Sequence, residues 1–346
     1  MEFDVFSGVG SLVEKSLLKE YDVDGDPRFL MLETIREYAM NRLEESGELE
    51  KIKRRHACYF QAFAEQLGPQ LRGPNSLRCL SQLGMELNNL RAMFSWNGAH
   101  NNHDEMLSAA AAMMWFWVMT GLPSEGGGWM ESALTGAMPG SAKAKTLYRA
   151  GMLASIQGNY NRGQALCEEG LQISDALGDK QSMAWSLLYL ALTTDFQGKL
   201  GPAREIYEKS LALSREIDDK LCMAEALRLL GMTVSRLGEY REALELIEES
   251  KSLLAEIEDR RGLGSIAVTH RVVLNEQGDY GAAEMQRENI GSPIPQSFRN
   301  LWDAGTTAAR AVLDENTFKT AWEWGRAMAL DQAIEYALQV GSDKDG

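Results

Sequence analysis

Between residues 144 and 286 glycine recurs every forty residues, at Gly158, Gly198, Gly238 and Gly278. Each closes an apolar helical pattern in a similar way: Gln157-Gly158-Asn159-Tyr160, Gln197-Gly198-Lys199-Leu200, Leu237-Gly238-Glu239-Tyr240 and Gln277-Gly278-Asp279-Tyr280. A period of this length means stacked supersecondary units, each of which buries its apolar face only against its neighbours. The predicted fold is therefore all-α, an elongated array of helix pairs. Such an array is a scaffold with a groove, which points to binding and not to a particular chemistry.

Adding forty lines up the positions that must touch. Leu147, Leu187 and Leu227 are followed one turn later by Ala150, Leu190 and Leu230, an apolar stripe at helical spacing. Beside them Gly151, Ala191 and Gly231 leave room for a second helix, which answers with Gly163, Ala203, Ala243 and Ala283. Bulkier Cys167, Tyr207 and Ile247 come one turn later, then Gly170, Ser210 and Ser250. This small-large-small order resembles the tetratricopeptide repeat, whose usual period is about 34 residues. The acidic-basic links Gly178-Asp179-Lys180, Asp218-Asp219-Lys220 and Glu258-Asp259-Arg260 account for the longer period by extending the second helix.

Composition narrows the role. The chain has 346 residues, more than one compact core usually holds, and a formal charge of −15, which argues against a sequence-independent phosphate-binding role. Cys58, Cys79, Cys167 and Cys222 are scattered without a Cys-x-x-Cys pair and read as reduced core residues. The start, Met1-Glu2-Phe3-Asp4-Val5, lacks the basic and apolar regions of a secretory signal, so a cytoplasmic protein is expected. The charge-free run Met106 to Pro123 is interrupted by Ser108, Thr120 and Gly121, and reads as a buried helix and not a membrane span.

Four segments are expected: 1–46, a small hairpin-containing segment; 47–140, less regular helical hairpins; 141–287, the forty-residue repeats; and 288–346, a helical cap with a disordered tail. In the first, a helix-like run through Leu12 and Val13 leads to strands at Ser16 to Tyr21 and Arg28 to Leu32 around an Asp/Gly/Pro turn. A helix follows from Glu33 to about Glu45, with Thr34 and Glu37 in capping-box spacing. In the last, Pro293 and Pro295 break the repeat, and 298–338 read as helices closing the array.

Leu12-Val13-Glu14-Lys15-Ser16-Leu17-Leu18, followed by Met31-Leu32-Glu33-Thr34-Ile35-Arg36-Glu37-Tyr38-Ala39, resembles the end of the winged-helix domain in bacterial STAND-class, LuxR-like regulatory ATPases. The likeness continues through Arg55-His56-Ala57-Cys58-Tyr59-Phe60, Glu86-Leu87-Asn88-Asn89-Leu90-Arg91-Ala92 and Trp129-Met130-Glu131-Ser132-Ala133-Leu134. It implies a sensor module, a winged-helix remnant with one β-hairpin joined to a tetratricopeptide-like α-solenoid. The chain holds no Gly-x-x-x-x-Gly-Lys-Ser/Thr phosphate loop, so the resemblance implies a nucleotide-binding module supplied elsewhere in a longer chain or in trans. DNA binding by segment 1–46 is disfavoured, since its five Lys/Arg face eleven Asp/Glu.

No constellation supports an enzyme or a cofactor. His100 and His103 flank an Asn-rich turn without a further ligand, and no metal site is expected. Glu125-Gly126-Gly127-Gly128-Trp129 follows no strand and carries no Lys, so it reads as a helix start. The lysine and arginine cluster at Lys51, Lys53, Arg54 and Arg55 reads as a solvated face. The concave groove is the candidate site. First-helix residues left over from stacking include Lys145, Tyr148, Met152 and Ser155, then Trp185, Leu188, Leu192 and Asp195, then Glu225, Arg228, Met232 and Ser235. Aromatic and methionine side chains beside Arg228 suit an apolar peptide, protein segment or small effector with one anionic group. The alternative is a self-associating scaffold with no ligand.

Overall fold

The structure is a computed structural model that describes residues 5–23 and 26–277. The expected cap at 288–346, the proline link and the fourth glycine of the grid lie outside the described residues. The chain divides into two units, one ending at Tyr59 and the other starting at Phe60.

In the first unit, α1 (Val5–Glu14) precedes two antiparallel strands, β1 (Leu18–Val23) and β2 (Asp26–Met31), paired with Leu18 opposite Met31 and Tyr21 opposite Arg28. Helix α2 (Glu33–Glu45) follows, and the chain turns at Gly47, whose φ of +73° suits glycine. The capping box does not form: the N-cap is Leu32, with no side-chain cap bond, and Thr34 already lies inside the helix. Among the described side chains none from Val5 to His56 is buried. Phe6 is 87% exposed and Leu32 58%, so the described residues from Val5 to His56 form no buried core, and a lone hairpin is at best marginally stable.

The second unit begins within α3 (Leu49–Leu67), continues through a 3-10 helix (Gly68–Arg72), and then α4 (Ser76–Met85), α5 (Leu87–Ala99), α6 (His103–Ala112), α7 (Met114–Met119) and α8 (Pro123–Leu134). The apolar run from Met106 is buried as expected, but as two helices broken at Met113. Among the described residues no helix is long and apolar enough to cross a membrane. Trp117 packs flat on the backbone of α8: a Cβ on Gly126 would sit 2.4 Å from the indole, so glycine is required there.

Six helices then form three pairs: α9 (Ser141–Ile156) with α10 (Tyr160–Leu177), α11 (Lys180–Phe196) with α12 (Leu200–Glu216), and α13 (Lys220–Arg236) with α14 (Tyr240–Glu256). Helix α15 (Arg260–Gln277) opens the next pair. The fold is a tetratricopeptide-like α-solenoid whose small sheet is confined to the first unit.

The forty-residue grid is realised in the backbone. Gly158, Gly198 and Gly238 end the first helices at φ of +81°, +78° and +90°. Gly151 and Gly163 let α9 and α10 touch, since a Cβ on Gly163 would lie 2.9 Å from the Gly151 carbonyl oxygen. Cys167, Tyr207 and Ile247 fill equivalent core positions, all buried. Between pairs, Asp179, Asp219 and Asp259 accept from the backbone N–H of Ser182, Cys222 and Gly262 at 3.0, 3.0 and 2.9 Å, capping α11, α13 and α15.

Candidate functional site

The expected groove residues all lie on the first helices of the three pairs, α9, α11 and α13. Tyr148, Met152, Leu188, Leu192 and Asp195 are buried there; Trp185, Arg228 and Met232 are partly exposed. Leu188 is fully buried while its neighbours Leu187 and Leu190 are only half-buried. Asp195 receives the Thr233 hydroxyl at 2.5 Å and pairs with Arg236, tying α11 to α13.

Three aromatic rings form one cluster across α9 and α11. Tyr148 stacks on Trp185 with centroids 6.3 Å apart and planes 17° from parallel, and both rings lie 5.8 Å from Tyr189. The Trp185 indole N–H donates to Asp219 at 3.1 Å, which fixes the ring against the cap of the next pair.

Further along these helices lies an ion cluster in which only the Glu225–Arg228 pair, three residues apart in α13, is local in sequence. Arg228 donates to Glu225 at 2.6 Å, Arg261 to the other Glu225 oxygen at 2.5 Å, and Arg72 to that same oxygen at 2.7 Å. The Nε of Arg72 donates to Asp259 at 2.7 Å. All five side chains are at most 15% exposed. Burial pushes the Glu225 carboxyl up, and Arg228, Arg261 and Arg72 outweigh it, holding the carboxyl well below the usual carboxylate range. For Arg72, Glu225 and Asp259 outweigh burial and raise its proton affinity; for Arg261, burial and the nearby Arg72 and Arg228 leave it lowered. The Trp115 face takes up part of the excess positive charge, with Arg261 3.6 Å and Arg72 5.4 Å from its centroid.

Arg72 and Trp115 belong to the irregular hairpins, so the chain sets side chains from that region against α13 and the start of α15. What remains open is a cleft of about 200 Å³ between the 3-10 helix, the α6–α7 break and the aromatic cluster. Its charged lining residues are Arg72 and Arg149. Sequence reasoning missed Arg72, Arg149, Trp115 and Arg261; Arg72 and Trp115 precede the first repeat, where no periodicity links them to the array.

Elsewhere, His100 stacks on Trp96 with centroids 4.1 Å apart. Among the described residues no group of His, Cys, Asp and Glu is placed to hold a metal ion, and all four cysteines are unbridged. The glycine-rich run at 125–129 is helical, as expected, and Glu125 holds Arg91 in a two-pronged pair at 2.7 and 2.7 Å.

Comparison with known proteins matches residues 143–216 and 203–256 to the tetratricopeptide repeat family. Over 132 residues the chain is 33% identical to proteins named as HTH-type transcriptional regulators from Mycobacterium bovis and Mycobacterium tuberculosis. That match takes in 38% of this chain and 15% of theirs, so the chain spans a small part of these relatives. Among solved structures, NprR in complex with its cognate peptide NprX aligns over 100% of this chain and 99% of its own, at 12% identity and a TM-score of 0.54, which shows a shared fold. A STAND protein with a tetratricopeptide repeat sensor from Pyrococcus horikoshii aligns over 100% of this chain and 56% of its own, at 13% identity and a TM-score of 0.46, too slight a likeness to argue from.

Proposed function

We propose that the described repeats are the sensor of a transcription regulator, a non-enzymatic module that takes a peptide or protein segment, or a small effector, on its inner face. The observation that carries this reading is the exposed end of the aromatic cluster at Trp185, opening into a cleft that the chain's own Arg72 and Trp115 leave unfilled. The partial match to HTH-type regulators and the fold shared with a peptide-bound protein support it.

Occupancy would act on output through the inserted segment. A ligand that binds better when Arg72 is seated, or better when it is displaced, shifts that balance by its differential affinity. The finer reading is a STAND-type switch, in which residues 1–46 are a winged-helix remnant and a nucleotide-binding module is supplied in cis or in trans. That no described side chain from Val5 to His56 is buried supports a role for that unit as a surface completed by a partner.

The test is a selection of random heptapeptides on the full chain, counter-selected on Trp185→Ala. Sequences enriched on the wild type and lost on the variant support the reading. Enrichment indifferent to Trp185, or none at all, removes the inner face from the account. The same unburied surface favours self-association as a second reading, which predicts a concentration-dependent mass in light scattering.

A further inference from the structure

We propose that the cleft beside Arg149 binds a ligand carrying a carboxylate next to an aromatic ring, a specific chemistry that rests on reading the inner face as a binding surface. Four rings bound the cleft: Trp115, Tyr148, Trp185 and Tyr189. Aromatic walls alone would equally suit a quaternary ammonium ion. The guanidiniums decide against that, because Arg72 and Arg149 line the same cleft and no carboxylate does.

The two arginines differ in how their charge is used. Arg72 is committed to Glu225 and Asp259. Arg149 lies 5.5 Å from the Tyr148 ring centroid and has no carboxylate at ion-pair distance among the described residues. Nearby acids are engaged elsewhere: Asp179 with Ser141 and Ser182, Asp219 with Gln181, Trp185 and the Cys222 N–H. A half-buried cation left unpaired in a chain of net charge −15 marks where an anion is missing.

A second, independent observation comes from the phenols. Tyr148 and Tyr189 are 3% and 4% exposed, and both line the cleft. A phenol that lines an open cleft is a donor that an incoming ligand can use. Burial pushes both phenols above their ordinary range, which keeps them protonated and able to donate. An anionic oxygen held by Arg149 and a tyrosine O–H would receive charge-assisted bonds in a partly enclosed cleft. A volume of about 200 Å³ suits a single ring with its carboxylate and falls short of a drug-sized molecule.

A free aromatic acid and the last residue of a peptide share this chemistry. Isothermal titration of the full chain with N-acetyl-phenylalanine, its amide, choline and an octapeptide ending in phenylalanine with a free carboxylate separates the cases. The carboxylates are expected to bind at least about tenfold more tightly than the amide, and choline not to bind. Arg149→Gln is expected to reduce the carboxylate to the amide's affinity at unchanged melting temperature, with Arg149→Lys recovering part of the loss. An octapeptide tighter than N-acetyl-phenylalanine supports a peptide terminus; equal affinity supports a free acid. Equal binding of acid and amide, binding of choline, indifference to Arg149→Gln, or no saturable binding of any probe at 10 mM overturns the proposal. Peptides selected through Trp185 that carry no terminal ring and carboxylate would leave the sensor reading standing while overturning this one.

Discussion

Arg72 and Asp259 stand 187 residues apart in the chain and 2.7 Å apart in the fold, Nε to carboxylate. The same guanidinium reaches Glu225 from its other arm at 2.7 Å, so one side chain ties the irregular hairpins to both α13 and the cap of α15. The cluster counts three arginines against two carboxylates, and that imbalance ranks its mutants.

Removing an arginine should therefore cost less than removing an acid. Arg72→Gln leaves two cations with two anions, and the expected loss is about 1–3 kcal/mol. Glu225→Gln leaves three cations with one anion in a buried site, and the expected loss is about 3–5 kcal/mol. Urea unfolding followed by circular dichroism checks the order; the reverse order would mean that the excess charge is not felt.

The acid limb of stability should carry the signature of Glu225. Its folded value is held well below the unfolded carboxylate value of about 4.3, so its stabilising contribution is present above that value. It is lost as pH falls through the unfolded value toward the folded one, because the unfolded chain takes up the proton first. Between pH 6 and 3 the wild type should lose more stability than Glu225→Gln; parallel curves would contradict the assignment.

The links between pairs contain strain of a correctable kind. Gly178, Asp218 and Glu258 occupy one grid position with φ of +65°, +54° and +53°, and only the first is a glycine. Asp218→Gly and Glu258→Gly should each stabilise by about 0.5–1 kcal/mol, the left-handed penalty less the greater backbone freedom of glycine. Gly178→Ala should destabilise by about the same amount, and thermal melts of the three variants suffice.

Two helical glycines should respond with opposite signs. Gly163→Val drives methyl groups against Ser155 and the Gly151 carbonyl, so about 1–3 kcal/mol should be lost. Around Gly201 in α12 a Cβ meets nothing within 4 Å, and Gly201→Ala should gain up to about 1 kcal/mol from helix propensity. A matching pair of chemical melts reads both.

The array was legible because its constraints are local and periodic. Turn glycines at 158, 198 and 238 and the core positions Cys167, Tyr207 and Ile247 recur because each pair solves the same packing problem. Which of two adjacent leucines turns inward was less legible, since a first helix is covered on several sides; hence the full burial of Leu188 between half-buried Leu187 and Leu190. The same periodicity marked Arg228 as available to a ligand, but it could not show Glu225 one turn back taking up that charge at 2.6 Å. Arg72 and Trp115 were invisible for a different reason. Nothing in their neighbourhood encodes a partner more than a hundred residues away, and such contacts emerge only once the chain has closed on itself.

Asp259 serves two masters: one oxygen caps α15 at the Gly262 N–H, and the other receives Arg72. A solenoid whose units meet only their neighbours can melt from either end, one unit at a time. Here the opening turn of α15 and the 3-10 helix at Gly68–Arg72 share a carboxylate, so fraying at the far end must first release the near one. The clasp turns a linear stack into a circuit, and its unfolding is correspondingly expected to be all-or-none across the described repeats.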